Sequence, residues 1–237
     1  MEIHKQINKD YIHHQKSHLI DVLREVVFGM EDGMVSTLGS ITGIAIGSNN
    51  HTTVILAGVV IISVESISMG IGSYLSNSSQ EEMEQRKILE EKEELQKFPT
   101  EEKEELYQIY LQDGWSKALA TQMSEEAAQN EKLMLKEMTM HELQILDGKQ
   151  SISVKGGLFM FLAYVIGGLI PLFAYLFWPI EKALPISIII TLIGLFALGI
   201  GTTKFTKQPK IKSGLKILIT GGIALMVGLL AGILLAQ

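Results

Sequence analysis

The chain has 237 residues, of which 47% are apolar, and a formal net charge of −6. It contains no cysteine, which excludes disulfides and thiolate metal sites, so a bound metal would need carboxylate, imidazole, thioether or carbonyl ligands. Residues 80–147 hold 18 of the 26 acidic and 8 of the 20 basic side chains, a net charge of −10. Such an acidic segment disfavours nucleic-acid binding and favours the binding of cations.

The first 20 residues form a polar tail with four histidines and lack the apolar core of a cleavable signal peptide. The histidines could bind a metal, but the pattern is more typical of a solvated tail.

The first predicted membrane helix, Asp21–Gly47, carries acidic residues within its apolar pattern. Glu25 and Glu31 could be hydrated at the membrane interface, whereas Asp32 lies deeper, near two glycines, and is expected to face a polar pathway. Glycines at four-residue spacing also predict that another helix packs closely against this one: Gly39, Gly43 and Gly47.

A second helix is predicted over Val54–Phe98, half in lipid and half in water, because no Gly or Pro interrupts its second half. The apolar half contains Glu65 and Met69, which lie one turn apart and therefore on one face. A charge in the bilayer costs roughly 2.5–3.5 kcal/mol, so such a residue is expected to be functional. Alternatively, Glu65 could bind a lysine or a neighbouring serine as a structural contact.

Pro99 is predicted to end this helix and Thr100 to cap a short helix that runs to about Leu111. Ser124 is predicted to cap a further amphipathic helix over 125–146, which Asp147 and Gly148 would end.

Three further apolar segments are about 20 residues or longer, the length that crosses a membrane. They are Val154–Trp178, Ala183–Thr203 and Ile217–Ala236, with Pro171 predicted to kink the first and a short turn expected at Glu181–Leu184. The sequence therefore predicts an all-α protein with five membrane spans. It divides into a polar tail (1–20), spans one and two (21–79), an acidic helical domain (80–150) and spans three to five (151–237).

Nearly all lysines and arginines lie in the tail, the 80–155 segment and the 204–216 loop, whereas the turns on the opposite side hold only Lys182. Because positive loops stay in the cytoplasm, this distribution predicts a cytoplasmic amino terminus and a cytoplasmic acidic domain. Small size and short tails favour a bacterial plasma membrane, and a vacuolar membrane stays open.

Asp32, Glu65 and Met69 could line one path through the membrane. Two carboxylates and a thioether favour Fe²⁺ or Mn²⁺. Neighbouring carboxylates repel each other, so a proton can replace the ion, which is the requirement for exchange of metal for protons.

In the acidic segment, side chains three or four residues apart share a helix face and could combine as metal ligands. Suitable pairs are Glu91/Glu94, Glu102/Glu105 and Met138/Glu142. Periodicity alone does not select them, because neighbouring triplets at 90, 93 and 94 or at 101, 104 and 105 would serve equally.

The segment LREVVFGMEDGMVSTLGSITGIAIG, followed by ISMGIGSYLS and an acidic helix, resembles the VIT/CCC1 family of vacuolar-type iron and manganese transporters. The resemblance covers the chain from about residue 20. It implies a cation/proton antiporter that exports Fe²⁺ or Mn²⁺ from the cytosol, built as a homodimer of five-span subunits with a cytoplasmic three-helix metal-binding domain.

Carried onto this chain, the resemblance implies that Asp32, Met69 and Glu25 belong to the transport pathway. It also implies that the domain's metal ligands are Glu91, Glu94, Glu102, Glu105, Met138 and Glu142. One position departs from the family pattern, because the acid expected two turns before Met69 is Ile61 here, and Glu65 lies one turn before Met69 instead.

The sequence thus predicts a transporter with no enzymatic activity and no fixed cofactor, whose partners are metal ions, protons, the bilayer and a second copy. Two alternatives stay open. One is a membrane-anchored carboxylate di-iron oxidase, although such sites usually need Glu-x-x-His pairs and no Glu precedes His141 by three. The other is a scaffold that binds a basic partner or a metal without transport.

Overall fold

A computed structural model describes residues 22–145 and 153–235 of the chain, and all regular secondary structure in these residues is helical. The predictions for residues 1–20 and for the stop at Asp147 and Gly148 lie outside this part. The helices, in order, are α1 (Leu23–Ser48), α2 (His51–Lys97), α3 (Pro99–Gln112), α4 (Lys117–Ala128), α5 (Glu131–His141), α6 (Ser153–Phe177), α7 (Ile180–Thr206) and α8 (Lys210–Leu235).

The chain divides into two compact units, one of residues 1–72 and 155–237, called here the membrane unit, and one of residues 73–154, called the acidic unit. Four helices (α2, α6, α7 and α8) have segments long and apolar enough to cross a bilayer. Helix α1 has 26 residues but falls outside this set. Its acidic residues explain why, since Glu25, Glu31 and Asp32 lower its mean hydropathy.

Small residues let the helices of the membrane unit approach each other closely. A Cβ atom at Gly33 of α1 would collide with the backbone carbonyl of Tyr164 in α6. A Cβ atom at Gly228 of α8 would collide with the backbone of Gly39 in α1. At these two points α1 meets α6 and α8 backbone to backbone. These contacts fix where its acidic residues lie relative to the other helices.

The turn between α6 and α7 is shorter than the sequence predicts, because Glu181–Leu184 form the first turn of α7 and not a loop. Pro179 is the N-cap residue of α7, with an extended backbone that suits the start of a helix. Pro171 lies inside α6, and its carbonyl accepts a hydrogen bond of 2.7 Å from the buried Ser187 of α7. Prolines thus mark both the start of α7 and a contact between the two helices.

The caps of the acidic unit differ from those predicted. Phe98 is the N-cap residue of α3, and Pro99 follows it as the first residue of the helix. Thr100 therefore does not cap that helix. The expected helix over 125–146 is two helices, whose N-caps are the side chains of Ser116 and Asn130. Ser124 does not start a helix: it is buried inside α4 and donates a hydrogen bond to the carbonyl of Thr121. Polar side chains of this kind suit both roles, so the pattern alone did not separate them.

The acidic unit has a small apolar core, to which each of its helices contributes. The buried members of this cluster are Leu95, Leu106, Tyr110, Ala120, Ala127, Met134 and Met138. They come from α2, α3, α4 and α5, so the amphipathic faces of four helix segments meet in one place.

Candidate metal and pathway sites

Three carboxylates of the acidic unit converge from three helices. Glu91 lies on α2, Glu102 on α3, and Glu142 directly after α5. One carboxylate oxygen from each lies within 4.8 Å of the other two, close enough for a single metal ion to bind all three. Glu91 and Glu102 are buried, whereas Glu142 is exposed. We call these three residues the carboxylate cluster.

The apolar core explains why these acids meet. Glu91 lies one helical turn before Leu95, and Glu102 one turn before Leu106, so each acid shares a face with a buried leucine. Glu142 follows Met138 by four residues, and its backbone N–H donates a hydrogen bond of 2.9 Å to the Met138 carbonyl. Packing of three apolar side chains in one core therefore brings the three carboxylates to its edge.

The cluster is strongly coupled electrostatically. Burial raises the pKa of Glu91 to about 8, and the charges of Glu142, Glu102 and Glu94 add to the effect. Burial also raises the pKa of Glu102, followed by the charge of Glu105, and the same two causes raise the pKa of Glu142. Glu91 therefore holds its proton more tightly than an ordinary carboxyl group does, and its side chain is hydrogen-bonded to those of Glu142 and Glu102.

The residues fit a divalent cation. Oxygen Oε1 of Glu91 is buried and has no hydrogen-bond partner among the described residues. A buried carboxylate oxygen without a partner is costly, and a cation would satisfy it. An all-carboxylate set suits Mn²⁺ and also accepts Fe²⁺.

The other three predicted ligands occupy different surroundings. Glu94 and Glu105 are exposed and act on the cluster through their charge, but they are not members of it. Met138 is fully buried within the apolar core of the acidic unit. His141 binds Asp113 at 2.9 Å and lies 3.6 Å from Glu137, and it is not in the cluster, so no Glu-x-x-His pair forms there.

In the membrane unit, Asp32 of α1 lies close enough to Glu31 and to Glu65 of α2 to sense their charges. Asp32 and Met69 are partly buried, whereas Glu65 is exposed at the surface of the single chain. Two of the serines near Glu65, Ser63 and Ser66, donate hydrogen bonds to backbone carbonyls of α2. The structure thus brings the predicted carboxylates of α1 and α2 near each other.

The two remaining acids of α1 have partners of their own. Glu25 is buried and accepts a hydrogen bond of 2.8 Å from the guanidinium of Arg24. Glu31 accepts a hydrogen bond of 2.8 Å from the hydroxyl of Thr220 in α8. Both contacts fix the position of an acidic side chain within the membrane unit.

Sequence reasoning missed Tyr164, a buried residue in the middle of α6. Its hydroxyl makes a hydrogen bond with Ser36 of α1, and it lies close enough to Asp32 and Glu65 to sense their charges. The available signal was a phenol far from the ends of an apolar span, where tyrosine is usually an interface residue.

A groove of about 950 Å³ runs along the exposed face of α1. Its floor includes the glycines at 39, 43 and 47, and its walls include Ile61 of α2 and Val227 of α8. Ile61, the position where the resemblance implies an acid, thus lines a groove of glycines, serines and apolar residues without a charged side chain among the described lining.

The profile of the VIT family matches residues 23–233. The chain belongs to the VIT family. It is 32% identical to the vacuolar iron transporter of Plasmodium berghei (strain Anka), over 99% of this chain and 92% of the relative. It is 31% identical to vacuolar iron transporter 1 of Tulipa gesneriana (89% and 87% covered) and 27% identical to that of Arabidopsis thaliana (90% and 86% covered).

These three relatives are named as transporters and not as enzymes. The family and the long apolar helices together make the chain an integral membrane protein.

Proposed function

We propose that the chain exports Fe²⁺ or Mn²⁺ from the cytosol in exchange for protons. The observation that carries this proposal is the carboxylate cluster, a set of three oxygen ligands within 4.8 Å that includes a buried oxygen without a partner. The names of the relatives support iron as one substrate.

Within the membrane unit, the pathway we propose consists of Asp32, Glu65 and Met69. Two carboxylates that repel each other in a poorly hydrated region need a counter-charge, which either a divalent ion or a proton can supply. Metal and proton would therefore compete for the same groups. Glu25 and Glu31 would lie on the same route, where their contacts with Arg24 and Thr220 orient them.

In this proposal α1 also spans the membrane, which brings the number of spans to five. Its close contacts with α6 and α8, which are apolar and long enough to cross a bilayer, support its placement among them. With the amino terminus in the cytosol, the acidic unit is cytoplasmic and collects ions through its net negative charge. The host membrane is a bacterial plasma membrane in this proposal.

A homodimer is part of the proposal because Glu65 is exposed on the single chain, beside Val64 and Ile67 of the same apolar helix. A carboxylate that faces lipid is unfavourable, and the same surface of a second copy would shield it. The pathway would then be completed between subunits.

A flux assay in proteoliposomes with a pH-sensitive dye inside tests the proposal. An inward gradient of Fe²⁺ or Mn²⁺ should move protons outward and alkalise the vesicle interior, and each ion should suppress uptake of the other. Empty liposomes are the control. Metal uptake without a pH change would contradict the exchange, and no uptake of either ion would contradict transport.

A further inference from the structure

A second groove, of about 680 Å³, opens where α1 begins, α7 ends and α8 begins. It belongs to the membrane unit, at the ends of helices whose apolar segments follow within one or two turns. It shares none of its lining with the groove along the exposed face of α1.

The charged lining of this groove is mainly positive. Lys212 and Lys216 lie one turn apart on α8, are exposed, and make no ion pair with any residue that the structure describes. Arg24 also lines the groove, with 72% of its side chain exposed while it binds Glu25. Among the lining residues that the structure describes, Glu31 is the one acid, and it accepts a hydrogen bond from the hydroxyl of Thr220. Because Glu25 offsets the charge of Arg24, the balance among these described groups is three cations against two acids, a net positive charge that favours an anion over a metal ion.

Neutral hydrogen-bond donors lie beside the lysines. Gln208 lies between α7 and α8, and Ser213 is half-buried near the start of α8. Neither side chain donates to another residue within 22–145 or 153–235. Amide and hydroxyl groups next to two lysines are the chemistry that binds phosphate oxygens.

The other wall of the groove is apolar. Leu23, Val27 and Phe28 of α1 face Ile217 of α8 across it, and Phe28 is 52% exposed. A free inorganic anion would make no favourable contact with this apolar wall. An occupant with a phosphate at one end and a hydrocarbon chain at the other would satisfy both sides.

We propose that this groove binds one anionic phospholipid, with its phosphate on Lys212 and Lys216 and an acyl chain along Val27 and Phe28. Basic pockets between membrane helices are known to select such headgroups. The lipid would bridge α1, which carries the pathway carboxylates, to α8. The inference concerns a different surface from the carboxylate cluster and does not depend on transport.

Native mass spectrometry of the detergent-purified full chain, titrated with dioctanoyl phosphatidylglycerol, tests the proposal. We expect one saturable lipid per chain and much weaker binding of dioctanoyl phosphatidylcholine. K212Q/K216Q should raise the Kd for the anionic lipid by about tenfold or more, since each lysine near an anionic headgroup contributes several-fold. F28A should raise it by about threefold through the lost apolar contact.

The matched control is K204Q/K207Q, which removes the same charge at exposed lysines close in sequence but outside the groove lining. It should change the Kd by no more than about twofold. Equal weakening by both double variants would show diffuse attraction and overturn the site. Displacement of the lipid by equimolar inorganic phosphate, or equal binding of the two lipids, would also overturn it. Size-exclusion profiles and melting temperatures check folding, and K216Q alone replaces the double variant if that variant misfolds.

Discussion

The two units of the molecule handle their carboxylates in different ways. In the acidic unit, one chain supplies three acids that converge at the edge of an apolar core, with Glu91 and Glu102 buried. In the membrane unit, Asp32 and Glu65 come from neighbouring helices, and Glu65 stays at the surface of the single chain. The comparison indicates that the core of the acidic unit brings three acids together within one chain, whereas the membrane unit buries Glu25 but leaves Glu65 at the surface of the single chain.

The strongest way to break this comparison is Asp32→Asn, which removes the charge but keeps the shape of the side chain. Metal-driven proton flux in proteoliposomes should fall to the level of empty vesicles, because the counter-charge for ion and proton is lost. The affinity of the full chain for Mn²⁺ should remain, since the carboxylate cluster is intact. Glu181→Gln, at an exposed acid in the first turn of α7, is the control and should retain flux. Undiminished flux from Asp32→Asn would contradict the pathway.

Glu91→Gln addresses the acidic unit. It removes one of the two buried ligands, so the affinity for Mn²⁺, measured by calorimetry on the detergent-purified chain, should fall by about 10–100-fold or more, since loss of a residue that only supports a ligand already costs that much. Glu90→Gln changes the adjacent residue, which is exposed and binds Arg86 at the surface, and should change affinity by no more than about twofold. If both variants lost affinity equally, the site would be a diffuse acidic surface and not a cluster.

The pH dependence of Mn²⁺ affinity sharpens the same point. Because the pKa of Glu91 is raised to about 8, this carboxyl is mostly protonated at pH 7, and the ion must displace that proton. Affinity should rise about tenfold per pH unit up to about pH 8 and rise less steeply above it, with close to one proton released per ion at pH 7. Calorimetry in buffers of different ionisation enthalpy measures the release. Glu91→Gln should bind more weakly and release fewer protons, and an unchanged release would place the proton elsewhere.

Much of the fold could be predicted from the sequence, because long apolar segments and a helix without Gly or Pro leave few alternatives. The division of the 125–146 segment could not, since Ser124 and Asn130 are both acceptable caps and only tertiary packing buries the first. The carboxylate cluster was harder to predict than the fold. Periodicity offered several equivalent Glu sets, and what selects Glu91 and Glu102 is the buried leucine one turn away from each in a core that only the folded chain forms.

Met138→Leu tests the smallest expected difference. The resemblance implies that Met138 is a metal ligand, whereas the structure places it in the apolar core, fully buried, one turn before Glu142. Leucine has a similar volume and no thioether, so packing should cost less than about 1.5 kcal/mol in unfolding free energy. If Met138 only packs, Mn²⁺ affinity should change by less than about threefold, because a carboxylate-preferring ion has little use for a thioether. A tenfold loss of Fe²⁺ affinity under anaerobic conditions, with the melting temperature unchanged, would instead make its sulfur a ligand and enlarge the cluster to four donors. Met134→Leu, at another buried methionine of the same core, gives the baseline for packing alone.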